Sequence, residues 1–386
     1  MKIAILTEYY PSDESPGSGV YVHIRAASYR KLGHEARVFV VRPGAQVSLE
    51  RDGVPALAAD AETARTEIER FRPAVLALHT PHPSAPHTRL AERLNVPRVL
   101  WIHGYEAMLT AFHGYHRGLD RLLSIAYDLP KLWRLRSTIA RATAVVYVSR
   151  WIQRAAERGT GFRHRRARVV PNPVDTERFR PFAEAAAAER PRGLVLRPLN
   201  AAHGADLAVR ALAGLSGIEV AIVGQGPDAD RIRDLTERLR APVTIEERPV
   251  PHDEMPGLLN RYDFFISPER KTPTQGVAMC EAMACGLPVI AVRAGGVPEY
   301  VRDGTDGYLV RRDDPAALRH SVRLLADDPD RLREMGRSAR EYVVAKCSAS
   351  KVIPAELAVL QEASHGERSP RADSHLAPPD VSMPGH

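Results

Sequence analysis

The stretch "KTPTQGVAMCEAMACGLPVIA", residues 271–291, carries one acid in an otherwise small and apolar setting. Helix formers follow a glycine there, and Gly286 and Pro288 close the run, so a helix opens near Gln275–Gly276 and stops just before a strand. A buried carboxylate without a partner is costly or gives up its charge, so Glu281 must hold something. With that opening, the N–H groups of Gly276, Val277 and Ala278 are free to receive a phosphate. Glu281 then lies roughly 6 Å further along the axis, four residues at about 1.5 Å each. That step suits a nucleotide, with phosphate on the amides and ribose hydroxyls on the acid. The competing expectation is an acid paired with a nearby arginine or capping a neighbouring helix.

Other residues converge on the same chemistry. "SPGSGVYVH" (15–23) sets Gly17, Ser18 and Gly19 between a strand and a helix, and "VGQGPD" (223–228) sets Gly224 and Gly226 similarly. Glycines there let backbone approach a ligand closely, but neither loop is a P-loop or a full dinucleotide G-x-G-x-x-G. A diphosphate also needs cations. Arg197 ends a strand on the ligand side of its sheet, and His203 follows in the next loop. His103 and Gly104 end the strand "RVLWIH", with Glu106 close behind; a strand-end histidine there suits a sugar hydroxyl. His113 and His116 rank lower. The histidines form no metal-ligand cluster, and no G-x-S-x-G elbow occurs, so no metal and no cofactor is expected.

These residues need two scaffolds. Short apolar runs alternate with amphipathic stretches: 2–6, 36–41, 74–79, 98–103 and 144–149, then 193–197, 219–224, 243–247, 263–267, 288–292 and 307–310. Such alternation means parallel sheets covered by helices, and 386 residues exceed one ordinary core. The division expected is a domain over 1–172, a proline-rich linker over 173–192, a second domain over 193–345, a terminal helix over 346–363 and a disordered tail over 364–386. The class is α/β: two Rossmann-like, doubly wound parallel sheets facing a cleft.

Composition narrows the partners. A net charge of +7, nearly all arginine, attracts anions. No zinc-finger spacing or helix-turn-helix accompanies it, so nucleic acid is not expected. The basic, aromatic segment 105–141 shapes the acceptor side and could meet an anionic membrane. Three cysteines make neither a disulfide framework nor a zinc site. With no apolar run long enough to span a bilayer, this points to the cytoplasm, with a peripheral seat at the inner membrane face if the basic surface is used.

With these residues in place, the chain resembles the retaining glycosyltransferases of family 4 (group 1), which have the GT-B fold. The likeness runs from residue 1 to about 345 and is strongest in "GVAMCEAMACGLPVIAVRAGGVPEYVRDGTDGYLV" (276–310). "HGYE" (103–106), "VVPNPVDTERF" (169–179), Arg197 and "VGQGP" (223–227) support it. The resemblance implies a nucleotide-sugar donor held by the second domain, UDP- ahead of GDP-, as co-substrate. It implies a saccharide, lipid-linked or small-molecule acceptor held by the first, and metal-independent hexosyl transfer with retention. By it, Glu281 binds the donor ribose, Arg197 stabilises the leaving diphosphate and His103 contacts the transferred sugar. The chain departs from the pattern at Pro273, where an acid is usual, at His203, where a lysine is usual, and at Pro173 in place of a glycine. Glu269, Arg270 and Lys271 are the candidates to compensate. The alternative is a catalytically weak nucleotide-sugar-binding subunit.

Overall fold

The computed structural model describes residues 1–12, 16–44, 46–113, 118–182 and 190–365. The expected tail therefore lies almost wholly outside the described residues, as does His116. The first lobe is built on β1 (Lys2–Thr7), β2 (Glu35–Val41), β3 (Gln46–Arg51), β4 (Val54–Ala59), β5 (Val75–His79), β6 (Arg98–Ile102), β7 (Ala144–Tyr147) and β8 (Ala167–Val169). These form one sheet in the order β3-β4-β2-β1-β5-β6-β7-β8. Helices α1 (Val20–Lys31), α2 (Ala61–Phe71), α3 (Pro86–Arg93), α4 (Gly118–Ala140) and α5 (Arg150–Thr160) cover it.

The second lobe carries β9 (Arg192–Leu196), β10 (Glu219–Val223), β11 (Val243–Glu246), β12 (Phe264–Ser267), β13 (Val289–Val292) and β14 (Gly307–Val310). Its order, β11-β10-β9-β12-β13-β14, is that of a dinucleotide-binding sheet. Its helices are α6 (Ala205–Leu212), α7 (Ala229–Leu239), α8 (Met255–Leu259), α9 (Val277–Ala284), α10 (Pro315–Ala326) and α11 (Pro329–Cys347). Pairing is parallel in both sheets except between β3 and β4. That antiparallel edge departs from the expected all-parallel sheet. It turns on Asp52–Gly53, both at positive φ, as a tight hairpin requires.

The terminal helix is also corrected. Ser348 breaks the chain, and α12 (Ala349–His365) begins after it and runs two residues past the expected end. α12 returns to the first lobe, where Val352, Ile353, Leu357 and Leu360 join the core formed by Ile3, Val38, Val75 and Trp101. Glu356 ties it down: Arg25 pairs with it at 2.7 Å, Tyr29 Oη donates to it at 2.8 Å and Trp101 Nε1 at 3.3 Å, all fully buried. Removing one member of such a buried pair strands the other charge. Glu356→Ala should therefore lose about 3–5 kcal/mol of stability in urea unfolding; a loss under about 1 kcal/mol, the range of an exposed pair, contradicts this reading.

Candidate active site between the lobes

In an open α/β sheet the ligand crevice lies where strand order reverses, and in the second lobe that is between β9 and β12. Arg197 follows β9 directly. Gly224 makes room for it: a Cβ there would lie 1.9 Å from the Arg197 carbonyl oxygen. The Arg197 guanidinium donates from Nη2 to Ser267 Oγ at 2.8 Å and pairs through Nη1 with Glu269 Oε1 at 3.0 Å. Burial would raise the Glu269 carboxyl, but the Arg197 charge, the His203 bond and Lys271 outweigh it and hold the group at about 2.

His203 sits 3.4 Å from the same Glu269 oxygen through Nδ1, and 3.3 Å from Lys271 Nζ through Nε2. Burial lowers the pKa of His203, so the ring is neutral near pH 7. Of the three candidates to compensate at this corner, Glu269 and Lys271 reach in. Arg270 turns away to Asp206 and Asp313.

The head of α9 forms the second part. Gly276 is its N-cap in the left-handed region, at φ 84°, and the first bond of the helix runs from Cys280 N to the Gly276 carbonyl. The amides of Val277, Ala278 and Met279 therefore head the helix, and Gly276, Val277 and Ala278 are half-buried. Gln275 does something else. It is buried, accepts from Asn172 N at 2.6 Å and donates to the Asn172 carbonyl at 3.1 Å, stapling the segment just before the linker to the head of α9. That corrects its expected contact with substrate. Glu281 is buried too, and its Oε1 accepts from His252 Nε2 at 2.7 Å. Its partner is a histidine, neither an arginine nor a helix end. One such bond leaves most of a carboxylate's acceptor capacity open.

The first lobe supplies the opposite wall. His103 Nε2 lies 3.0 Å from His79 Nδ1, Tyr21 packs against the ring at 4.4 Å, and His103 Nδ1 is buried without a partner. Burial and the Arg25 charge push His103 well below its ordinary pKa, so it is neutral. Gly104 faces the second lobe, where a Cβ would lie 3.3 Å from Thr274 Cγ2. Glu106 is fully buried and accepts from the amides of His103 and Gly104. Both oxygens hold the strand-end turn, so this acid shapes the wall instead of touching substrate as expected.

Gly17, Ser18 and Gly19 lie at the head of α1. Gly19 is required there, at φ 66° and with a Cβ placed 2.2 Å from the Tyr9 carbonyl oxygen. The lobes also meet where Thr272 N donates to the His113 carbonyl at 2.8 Å. Glu299 crosses from the second lobe to cap α5, accepting from Arg150 N at 2.9 Å and Trp151 N at 2.7 Å. Sequence reasoning missed His252, His79 and Glu299. His252 lies in a turn, His79 at a strand end and Glu299 in a short 3-10 helix, and no local pattern marks any of them.

Among the described residues no group of three His, Cys, Asp or Glu side chains could share a metal ion. The three cysteines are free and buried, and among the described residues no helix is long and apolar enough to cross a membrane.

The charge cluster carries a pH signature. Because the folded Glu269 carboxyl is depressed to about 2 from 4.5, its stabilisation is complete above the ordinary carboxylate range and is lost as pH falls toward 2. The stability gap between the protein and its Glu269→Gln variant should shrink across that window in urea titrations. A gap independent of pH argues against the pairing.

Known proteins resemble both lobes. The model for Glycosyltransferase Family 4 matches residues 15–178, and that for Glycosyl transferases group 1 matches residues 190–328. A GDP-mannose-dependent alpha-(1-6)-phosphatidylinositol monomannoside mannosyltransferase of Mycolicibacterium smegmatis is 34% identical over 194 residues, 45% of this chain and 51% of that protein. The match thus spans about half the length of that relative. Among solved structures, sucrose-phosphate synthase of Thermosynechococcus elongatus superposes with a TM-score of 0.79 at 18% identity, over 94% of this chain and 98% of that one. HepE of Anabaena, solved in complex with UDP and glucose, superposes with a TM-score of 0.75 at 17% identity, over 94% and 100%. At such identities the likeness is one of fold.

Proposed function

We propose that this chain, which belongs to the group 1 glycosyltransferases of family 4 and has their GT-B fold, moves a hexosyl group from a nucleotide-sugar to a saccharide, lipid-linked or small-molecule acceptor with retention of configuration. What supports the reading is the topology: Arg197 follows β9 and α9, which bears Glu281, follows the neighbouring β12, on either side of the point where the strand order reverses. The amides and Arg197 take the diphosphate, and Glu281, aimed by His252, takes the ribose hydroxyls. Neutral His103, just after β6, takes a hydroxyl of the sugar. UDP stands ahead of GDP as the nucleotide; the complex of HepE supports the first and the mannosyltransferase the second.

The chemistry asked of the protein is electrostatic. As the bond from the anomeric carbon to the phosphate oxygen breaks, the acceptor oxygen bonds the same face of that carbon. The acceptor proton passes to the departing diphosphate. Fixed donors facing the growing negative charge lower the barrier without having to reorganise. Charge comes from Arg197 and the helix head in this scheme, so chelation with EDTA leaves turnover unchanged.

Arg197→Ala and Glu281→Ala should each lower transfer, or hydrolysis of the donor, by about a hundredfold or more, the scale of losing one transition-state contact. Turnover at the level of the unmodified protein in both variants refutes the assignment. Tight nucleotide-sugar binding with no nucleotide release identifies a binding subunit instead.

A lipid-borne acceptor is favoured by α4. Leu119, Leu122, Leu123, Leu129 and Trp133 are all exposed on it, Leu119 and Trp133 by 71% and 75%. A surface helix with this apolar face and basic neighbours fits the membrane boundary. A cavity of about 500 Å³ beside it is lined by Tyr105, Thr110, Asp120 and Tyr127. Co-sedimentation with phosphatidylglycerol vesicles should fall several-fold in a Leu122→Ser, Trp133→Ser variant. Equal binding by both proteins, or binding by neither, removes the membrane from the scheme.

A further inference from the structure

The corner beside Arg197 holds a neutral histidine where the diphosphate needs a second cation. The structure assigns that cation to Lys271: we propose that this lysine, on the loop after β12, grips the donor diphosphate together with Arg197, and that His203 and Glu269 are positioning residues that aim it. The inference rests on the donor reading above and names the side chain that completes its phosphate site.

Two sets of contacts carry it. The first is backbone. The amides of Arg270 and Lys271 both donate to the Ala202 carbonyl at 3.0 Å. Gly204, at φ 68°, lies so near the loop that a Cβ would be 2.0 Å from the Pro268 carbonyl oxygen. The loop of Lys271 is thereby locked onto the turn that bears His203. The second is a directed chain of side chains. An ammonium only donates, so Lys271 Nζ gives a proton to His203 Nε2 across 3.3 Å. That fixes the neutral tautomer with its proton on Nδ1, which points at Glu269 Oε1 at 3.4 Å. Arg197 Nη1 approaches the same oxygen from the other side at 3.0 Å.

Every donor and acceptor along this line agrees, and the line joins two fixed cations through one buried anion. Lys271 keeps two further N–H donors for a ligand. Its half-buried position strengthens the pull on an anion, because water screens it poorly. A lysine at 203 would reach the crevice from α6's side of the cleft; here the charge comes from the β12 side instead.

Titration calorimetry with UDP, GDP and the parent nucleosides uridine and guanosine tests this on the full chain. For the nucleotide that binds the unmodified protein, Lys271→Ala should weaken affinity tenfold or more, while Lys271→Arg keeps most of it and confirms that the loop still folds. Affinity for the nucleoside should stay the same in all three proteins. His203→Asn should weaken binding in the native background but add nothing in the Lys271→Ala background, as expected of a residue acting through the lysine. The double variant Lys271→Ala, His203→Lys should recover at least part of the loss.

The proposal is overturned if Lys271→Ala binds the diphosphate as the unmodified protein does, or if His203→Asn weakens binding equally in both backgrounds. Should the unmodified protein bind neither UDP nor GDP, the donor reading itself falls and takes this inference with it.

Discussion

A diphosphate leaves a sugar only if fixed positive charge meets it in a place where water is scarce. In the proposed scheme that charge is held ready by the pairing of Arg197 with Glu269, 3.0 Å apart. A buried carboxylate is tolerable only when its cations stay beside it, so the pair constrains everything near it. Gly224 must be glycine for the end of β10 to lie on the Arg197 backbone, and Gly204 for the β12 loop to close over the turn at His203. The strand order supplies the rest, since the loops after β9 and β12 are neighbours only because the sheet reverses direction between them.

Each lobe is braced by a buried polar side chain. In the first, both Glu106 oxygens hold the turn that presents His103; in the second, both ends of the Gln275 amide bond Asn172. Neither touches the crevice, yet each decides where a group that does is placed. Between the lobes the contacts are lighter. A carboxylate cap such as Glu299 on α5 is worth about 1 kcal/mol, far less than the buried network that anchors α12 to the first lobe. The covalent crossover and α12 fix which faces oppose each other, and the weaker bonds set how closely.

Much of this was legible from residue patterns, and the exceptions have physical causes. Core strands announce themselves because both faces are buried: β1, β5, β6, β9 and β13 read as continuous apolar runs and end within a residue or two of expectation. β3 was missed because it is an exposed edge, with only Val47 and Leu49 apolar among polar residues, although the Asp52–Gly53 turn beside it was a usable signal. In the site, position along the fold set Arg197 after β9 and α9 with Glu281 after the neighbouring β12. What sequence could not supply was direction. Glu106, Gln275 and Glu281 are all polar residues in the right places, and only their hydrogen bonds reveal which way each turns. His252, almost thirty residues from Glu281, is joined to it by folding alone.

A crystal structure of the protein with bound UDP or GDP tests the central claim most directly. The account predicts the phosphates within hydrogen-bonding distance of the Val277 and Ala278 amides and of Arg197, with both ribose hydroxyls on the Glu281 carboxylate. A nucleotide seated elsewhere, with Glu281 bonded to His252 alone and Arg197 to Glu269 alone, would contradict it.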